Sequence, residues 1–180
     1  MREIEVYHVV TNCPMKPGQH IIFNETHHNG VWERVNDKLD IVEEIYKNPD
    51  QYDAGRLEHH TSVALRELAL EEVRQQKYGE YPSRMGCLYV SGTLKEAQKW
   101  AKLFAEWGRT VYQIVRLKVN GNCFYGDARN CFEACLDREE NLLLAEHYWE
   151  NRPNKENEPP IVEILADGDI EVVEIVEVYE

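Results

Sequence analysis

The stretch Cys87–Gly108, CLYVSGTLKEAQKWAKLFAEWG, predicts a short strand that leads into an amphipathic helix. Residues 87–90 are apolar and β-prone, which suits a buried strand. Thr93 is a favourable helix N-cap, and Glu96 three residues later completes the sequence pattern of a capping box. Gly108 supplies the left-handed residue at which a helix commonly ends. The apolar face of this helix consists of Ala97, Trp100, Ala101 and Phe104.

The junction between this strand and helix is a candidate ligand site. Tyr89, Ser91 and Thr93 lie where backbone N–H groups and the positive end of a helix dipole gather, and such places favour polar or anionic ligands. Capping already explains Thr93, and a strand tyrosine most often packs in a core. The junction therefore leaves Tyr89 and Ser91 as candidate binding residues.

The composition predicts one folded domain over residues 1–180, with a helical segment, 37–78, inserted within it. Hydrophobic residues form 43% of the 180, which is enough for a substantial core. The formal net charge of −13 disfavours non-specific binding to nucleic-acid phosphates and association with anionic membranes. We therefore expect neither a non-specific nucleic-acid partner nor a membrane partner.

The first residues and the cysteines predict a cytoplasmic protein. The opening MREIEVYHVV alternates like a strand and lacks the apolar region and cleavage site of a signal peptide. No apolar run approaches the roughly 20 residues that span a bilayer. Five cysteines are an odd number without paired metal-binding spacing, as expected for reduced intracellular thiols.

Hydrophobic periodicity predicts strands near both ends of the chain and helices between them. This order favours an α+β fold over a doubly wound parallel sheet. The predicted strands are 2–11, His20–Phe23, Val31–Val35, 87–91, 111–119, Ile161–Leu165 and Ile170–Tyr179. The last two are predicted to form a hairpin around Asp167-Gly168, with a bulge or bend between Val172 and Val173. The predicted helices are Asp37–Lys47, 52–78, 93–108 and 138–150.

Two titratable residues outside the junction are also candidates for a site. His8 lies on the apolar face of the first strand, where its imidazole needs a hydrogen-bond partner. Asp127 comes soon after the strand 111–119 and directly follows Gly126. It is either a turn aspartate or a carboxylate that stabilises positive charge or accepts a proton.

The sequence predicts no metal site. Adjacent histidines on a regular element point in different directions, so neither histidine pair chelates as a unit. Two cysteines four residues apart could join a histidine in a zinc site, but neither CxxC nor HExxH is present. A zinc-dependent hydrolase is therefore only a third hypothesis. The residues concerned are His27, His28, His59, His60, Cys131, Cys135 and His147.

His8, Tyr89 and Asp127, in this order, resemble the His–Tyr–acidic pattern of the ADP-ribosyltransferase superfamily. The rifampin ADP-ribosyltransferase family also has a Tyr-His pair on an early strand, a Tyr before a Trp-bearing helix, and a Gly-x-x-Phe-x-x-Asp segment. Here Gly121, Phe124 and Asp127 match that segment. Nearly the whole chain is also similar to a small bacterial family of uncharacterised activity with the ADP-ribosyltransferase-like fold, through its YHVV opening and LYVS strand.

This resemblance implies a split, curved β core that binds NAD as a substrate and needs no metal. It implies that His8 hydrogen-bonds the adenosine-side ribose, that Tyr89 stacks on nicotinamide, and that Ser91 supports the same wall of the pocket. Asp127 would stabilise the oxocarbenium-like ribose as nicotinamide leaves, or orient the acceptor. The implied catalytic residues are thus Asp127, Tyr89 and His8, and the implied NAD-binding residues are His8, Tyr89 and Ser91.

Two functions stay open from the sequence. The first is an enzyme that transfers ADP-ribose from NAD to an unknown acceptor. The second is a non-catalytic nucleotide-binding or protein-interaction module on the same fold, in which the acidic helical segment 37–78 forms a homodimer surface. Two departures bear on this choice: many superfamily members have Glu where Asp127 stands, and no acceptor-recognition loop can be identified.

Overall fold

The structure, a computed structural model, describes residues 3–180 and contains both α-helices and antiparallel sheets. This content confirms the α+β prediction. The chain divides into two compact units. Unit 1 comprises the described residues up to His27 together with Cys87–Tyr125 and Glu163–Glu180, and unit 2 comprises His28–Gly86 and Gly126–Val162. The segment 37–78 lies within unit 2, and the assignment of a single domain to residues 1–180 stays a prediction.

Seven strands and five α-helices form the regular structure of residues 3–180. The strands are β1 (Glu3–Val10), β2 (His20–Ile21), β3 (Leu88–Val90), β4 (Gln113–Asn120), β5 (Cys123–Asp127), β6 (Val162–Ala166) and β7 (Asp169–Val178). The α-helices are α1 (Gly30–Asn36), α2 (Leu39–Lys47), α3 (His59–Lys77), α4 (Leu94–Glu106) and α5 (Arg138–Trp149). The first predicted strand began at Arg2, which lies outside the described residues.

The strands form two antiparallel sheets. The first has the order β1-β4-β7-β2, and the second has the order β3-β6-β5. In the first sheet, Val6 of β1 stands opposite Leu117 of β4. The inward-facing aliphatic side chains of unit 1 form one buried cluster, as expected when alternate residues of each strand share a face. Its members include Val6, Val10, Val90, Val115, Leu117, Ile164, Ile170 and Val172.

Two glycines allow one antiparallel ribbon to bend from the first sheet into the second. β4 pairs with β7 in the first sheet. The segment that follows β4 is β5 and the segment that precedes β7 is β6, and these two strands pair in the second sheet. At the bend, the Asp167 N–H donates to the Asn122 carbonyl oxygen at 3.1 Å. A Cβ on Gly121 would lie 2.1 Å from the Asp167 carbonyl oxygen, and Gly168 has φ +94°. The backbones therefore approach so closely that only glycine fits, and we call Gly121 and Gly168 the glycine corner.

Helix α4 packs on unit 1 through the face that the sequence predicts. The Thr93 hydroxyl accepts a hydrogen bond from the Glu96 N–H at 3.2 Å, which confirms the N-cap. Gly108 has φ +80° and follows the helix end, also as predicted. The apolar cluster at this face contains Val9, Ala97, Ala101 and Ile114, with Trp100 and Phe104 packed against it.

Unit 2 is largely helical and contains a buried ion pair. Glu67 of α3 is only 1% exposed and accepts hydrogen bonds from Arg84 Nε at 2.9 Å and Arg66 Nη2 at 3.1 Å. Arg84 Nη1 donates to the Tyr148 hydroxyl at 2.8 Å. Burial alone would raise the pKa of Glu67, but the charges of Arg84 and Arg66 hold it below its ordinary value. Because these charges are paired and hydrogen-bonded, the network is best explained as structural.

The predicted strand Val31–Val35 is wrong, because these residues lie in helix α1. The Asn29 side-chain oxygen accepts from the Val31 N–H at 3.1 Å and the Trp32 N–H at 3.2 Å. The Asn29-Gly30 dipeptide, which suggests a hairpin turn, therefore begins a helix instead. Asparagine is favoured both in hairpin turns and at helix N-caps, so the dipeptide alone does not distinguish them.

The predicted hairpin of the last two strands is also wrong, although its bulge is confirmed. β6 pairs with β3 and β7 pairs with β4, because the glycine corner sends them into different sheets. Leu117 stands opposite Val172 and Arg116 stands opposite Glu174, so Val173 is an extra residue in β7.

The helix predictions differ from the structure mainly at one boundary. Helices predicted over Asp37–Lys47 and 138–150 are confirmed as α2 and α5. The long helix predicted over 52–78 begins only at His59, because the Glu58 carboxylate caps it by accepting from two backbone N–H groups, at 3.1 Å each. A short 3-10 turn, Ala54–Arg56, precedes it.

Candidate functional site

Strands β1 and β3, which belong to different sheets, meet in unit 1 at a single backbone bridge. The Tyr7 N–H donates to the Ser91 carbonyl oxygen at 2.8 Å, and the Ser91 N–H donates to the Tyr7 carbonyl oxygen at 2.7 Å. The bridge is isolated, so the regular ladder does not continue along the two strands. We call this place the β1–β3 seam and define it by Tyr7, His8, Tyr89 and Ser91.

Beside the bridge, the His8 side chain forms a hydrogen bond from β1 to the backbone of β3. Its Nδ1 lies 2.7 Å from the carbonyl oxygen of Tyr89. Burial lowers the pKa of the imidazole to about 4; the bond to Tyr89 raises it, and the charge of Arg109 lowers it further. The ring is therefore neutral at pH 7. Because a carbonyl only accepts, Nδ1 carries the hydrogen and Nε2 keeps its lone pair.

Tyr89 and Ser91, the other two predicted binding residues, are two positions apart in the chain, within β3 and directly after it. Tyr89 is half-buried and stands opposite Leu165 of β6. Ser91 is buried, with 7% of its surface exposed. The structure thus brings His8, Tyr89 and Ser91 together in one seam of unit 1. Its chemical character is that of an acceptor nitrogen beside an aromatic residue and a small polar residue.

Arg109 is a charged residue near the seam that the sequence did not single out. One guanidinium nitrogen donates to the Thr11 hydroxyl at 2.6 Å, and the guanidinium carbon lies 4.4 Å from the centre of the Phe104 ring. The Arg109 side chain therefore has a fixed place at the end of α4, and its charge acts on His8. The only hint in the sequence that this residue could be important is that it directly follows Gly108, the residue at which the helix is predicted to end.

Asp127, the third member of the predicted catalytic trio, belongs to unit 2. Its carboxylate is buried, with 7% of the residue exposed. Oδ1 accepts from the Arg129 N–H at 2.9 Å and from the Ile161 N–H at 3.0 Å. Oδ2 accepts from the Asn154 side-chain amide at 2.8 Å. The structure therefore gives Asp127 the turn role that the sequence left open, and one acceptor position of the carboxylate is not used by these three bonds.

Asn154 is a partner of Asp127 that the sequence did not single out. It is 5% exposed, and its amide nitrogen also donates to the Glu158 carbonyl oxygen at 2.9 Å. Its side-chain oxygen accepts from the Glu158 N–H at 3.1 Å, so both ends of the amide are fixed. The surrounding segment Asn151–Pro160 is the predicted polar loop, and nothing in its composition distinguishes this asparagine. We call Asp127, Arg129, Asn154 and Ile161 the Asp127 clamp.

Comparison with known proteins identifies the family of the chain. A family described as "Protein of unknown function (DUF2441)" matches residues 6–178. The chain belongs to this family. The DUF2441 match covers both units and includes all four predicted site residues. No curated protein matches the chain.

Two kinds of feature are absent from the described residues of the DUF2441 chain. Among residues 3–180, no cluster of three or more His, Cys, Asp or Glu side chains could hold a metal ion. The rings of His59 and His60 are 5.8 Å apart, with their planes tilted by 52°. In the same part of the chain, no helix combines the length and the apolar character needed to cross a membrane.

A broad surface cavity of about 550 Å³ lies elsewhere in the DUF2441 chain, at the start of α5 in unit 2. Tyr46, Cys135 and Arg138 are among its lining residues. The Cys135 thiol lies 3.4 Å from the Asn141 side-chain oxygen, and burial raises its pKa. A thiol with a raised pKa is a poor nucleophile, so Cys135 is not a candidate catalytic nucleophile.

Proposed function

We propose that the chain binds NAD or a related nucleotide at the β1–β3 seam and transfers ADP-ribose to an acceptor whose identity is unknown. The observation that carries this proposal is the hydrogen bond between His8 Nδ1 and the Tyr89 carbonyl oxygen, 2.7 Å long. It fixes the neutral imidazole so that Nε2 accepts a hydrogen bond, as recognition of a ribose hydroxyl requires.

The same seam offers the other chemistry that a nicotinamide nucleotide needs. In this proposal Tyr89 provides an aromatic face for the nicotinamide ring, and Ser91 supports it from the adjoining backbone bridge. The resemblance of His8, Tyr89 and Asp127 to the His–Tyr–acidic pattern supports the assignment independently of these contacts.

The proposed reaction is substitution at the nicotinamide ribose. The bond between ribose C1′ and the nicotinamide nitrogen breaks, and its electron pair leaves with nicotinamide. A nucleophilic atom of the acceptor, or of water, forms a bond to C1′ and loses a proton. Asp127 is the proposed carboxylate that stabilises positive charge on the ribose while the first bond breaks.

Calorimetry and thermal unfolding with NAD test the binding step. We expect NAD to raise the melting temperature of the wild-type protein, since a ligand that binds only the folded state stabilises it. His8→Ala should weaken binding by about tenfold, because one partly buried hydrogen bond and the seam geometry are lost. His60→Ala, at an exposed histidine of unit 2, is the control and should bind normally. No effect of millimolar NAD on the wild-type protein would overturn the proposal.

Release of nicotinamide from NAD tests the chemical step. We expect slow release by the wild-type protein and a loss of about 10²-fold in Asp127→Asn, which keeps the size of the side chain and removes its charge. Normal release by this variant, with the fold verified by circular dichroism, would exclude Asp127 as the stabilising carboxylate.

A second candidate is a non-catalytic nucleotide-binding or protein-interaction module. The observation that favours it is the Asp127 clamp, in which the carboxylate already accepts three hydrogen bonds from the protein. NAD binding without nicotinamide release would favour this module. Light scattering would test the homodimer that the acidic helical segment 37–78 could form.

A further inference from the structure

We propose that Asn154 is the positioning residue for Asp127 and fixes the orientation of its carboxylate for the chemical step; this inference rests on the proposed function. Asn154 contributes the only side-chain donor to Asp127 among the contacts of the described chain, at 2.8 Å from Oδ2. The other two donors, the backbone N–H groups of Arg129 and Ile161, both contact Oδ1.

The division of the donors between the two oxygens determines what the carboxylate can do. Oδ1 accepts two hydrogen bonds, which fill its two lone-pair directions. Oδ2 accepts one, so one of its lone-pair directions is not used by a hydrogen bond from the described residues. With Oδ1 held by the backbone, the contact between Asn154 and Oδ2 fixes the rotation of the carboxylate plane and therefore the direction of that remaining lone pair.

Asn154 is itself held firmly enough to fix this direction. It is 5% exposed, and it exchanges two hydrogen bonds with the backbone of Glu158, at 2.9 and 3.1 Å. One hydrogen of its amide contacts Glu158 and the other contacts Asp127, so the amide cannot be flipped without losing both.

Single-site variants separate positioning from general loosening of the loop. We expect Asn154→Ala to release nicotinamide about 10²-fold more slowly at saturating NAD, because a small misorientation of a catalytic group has effects of this size. Its Kd for NAD should change by no more than about twofold, since the loss is confined to the chemical step. The matched control is Asn130→Ala, which removes another buried asparagine that donates to the same loop, at the Arg152 carbonyl oxygen, 2.8 Å. It should keep its kcat.

A double variant keeps the test decisive if Asn154→Ala folds poorly. Asp127→Asn combined with Asn154→Asp rebuilds a hydrogen bond between the two side chains but moves the charge to position 154. We expect the melting temperature to recover in part relative to Asp127→Asn alone, because a carboxylate at position 154 can no longer donate to the Glu158 carbonyl oxygen, while kcat stays about 10²-fold low.

The outcomes distinguish this inference from the proposed function. An equal loss of kcat in Asn154→Ala and Asn130→Ala would overturn the positioning role, as would an unchanged kcat in Asn154→Ala. In both cases an inactive Asp127→Asn would leave the proposed function standing. A double variant with wild-type kcat, or a wild-type protein that releases no nicotinamide, would overturn both.

Discussion

His8 in unit 1 and Asp127 in unit 2 are both site residues expected from the sequence, and they differ in how much of their hydrogen-bonding capacity the protein uses. His8 uses Nδ1 on the Tyr89 carbonyl, which leaves the acceptor lone pair of Nε2. The Asp127 carboxylate has about four acceptor positions, and three of them accept hydrogen bonds, from two backbone N–H groups and from the Asn154 amide. In the proposed function the seam is therefore a preorganised binding site, whereas the clamp combines a structural role with at most one contact to a ligand.

The largest expected effect concerns the glycine corner, on which the seam depends because it joins the two sheets of unit 1. Gly121→Ala would place a Cβ 2.1 Å from the Asp167 carbonyl oxygen, where only backbone movement can relieve the overlap. We expect a loss of about 4 kcal/mol or more in the free energy of unfolding, measured by urea denaturation. Gly79→Ala is the control, since no atom lies within 4 Å of its Cβ. Equal stability of the two variants would show that the corner is not tightly packed.

The next largest effect should come from the clamp. Asp127→Ala leaves the N–H groups of Arg129 and Ile161 and the amide of Asn154 without their acceptor, and we expect a loss of about 3 kcal/mol on urea denaturation. Asp127 caps the 3-10 turn Ala128–Asn130. Asp53→Ala is the control, because Asp53 caps the 3-10 turn Ala54–Arg56 in the same way but is exposed. It should lose less than about 1 kcal/mol. If Asp127→Ala were as stable as this control, the contrast between clamp and seam would disappear.

The pH dependence of stability tests the neutral state of His8. The imidazole has an ordinary pKa of 6.5, and in the folded protein burial lowers it to about 4. Between these values the unfolded chain binds more protons, so the free energy of unfolding falls as the pH decreases. Allowing for partial exposure of the ring, we expect the wild-type protein to lose about 2 kcal/mol more than His8→Gln between pH 7 and pH 4.

His20 provides the control for this titration, with the opposite sign. Its hydrogen bond to Asp169 raises its pKa, so the stabilisation is present at low pH and is lost as the pH rises. The His20→Gln variant should therefore lose stability mainly in acid relative to wild type. Identical pH profiles for the wild-type protein and His8→Gln would contradict the neutral state of His8 at pH 7.

The smallest expected effect concerns the helix cap Thr93, in the junction after Ser91. Thr93→Ala removes the side-chain acceptor of the Glu96 N–H and should cost about 1 kcal/mol in thermal or urea denaturation. The exposed Thr110→Ala should be close to neutral. NAD affinity should not change in either variant, since Thr93 acts as a cap. A large loss of affinity in Thr93→Ala alone would extend the ligand site from the seam to the helix start.

Local patterns predicted most of the elements around the seam. Alternation over β1, the cap at Thr93 and the stop at Gly108 depend on neighbouring residues, and the structure confirms each of them. The grouping of His8 with Tyr89 came from a family resemblance. Periodicity does not report which edge strands of two sheets meet, so it could not have supplied this contact.

The features that the sequence did not predict depend on contacts between distant residues. The corner requires Gly121 and Gly168 to meet, and a strand pattern on either side of Asp167-Gly168 reads equally well as a hairpin. Asn29 is ambiguous between turn and cap for a similar local reason. Asn154 lies in a polar loop, and its role becomes visible only through the buried carboxylate 27 residues earlier in the chain.

The glycine corner has a consequence for the order in which unit 1 folds. The contact between Asn122 and Asp167 joins residues 45 positions apart, and closing a flexible loop of that length costs roughly 3 kcal/mol in chain entropy. The strands of this ribbon pair only with strands distant in sequence, so no local hairpin offsets the entropy cost of closing the loop. The ribbon must therefore assemble from separate segments. Helix α5 lies inside the loop and shortens it once formed. We therefore expect slow folding of unit 1, with α5 protected from hydrogen exchange before the ribbon that turns at the two glycines.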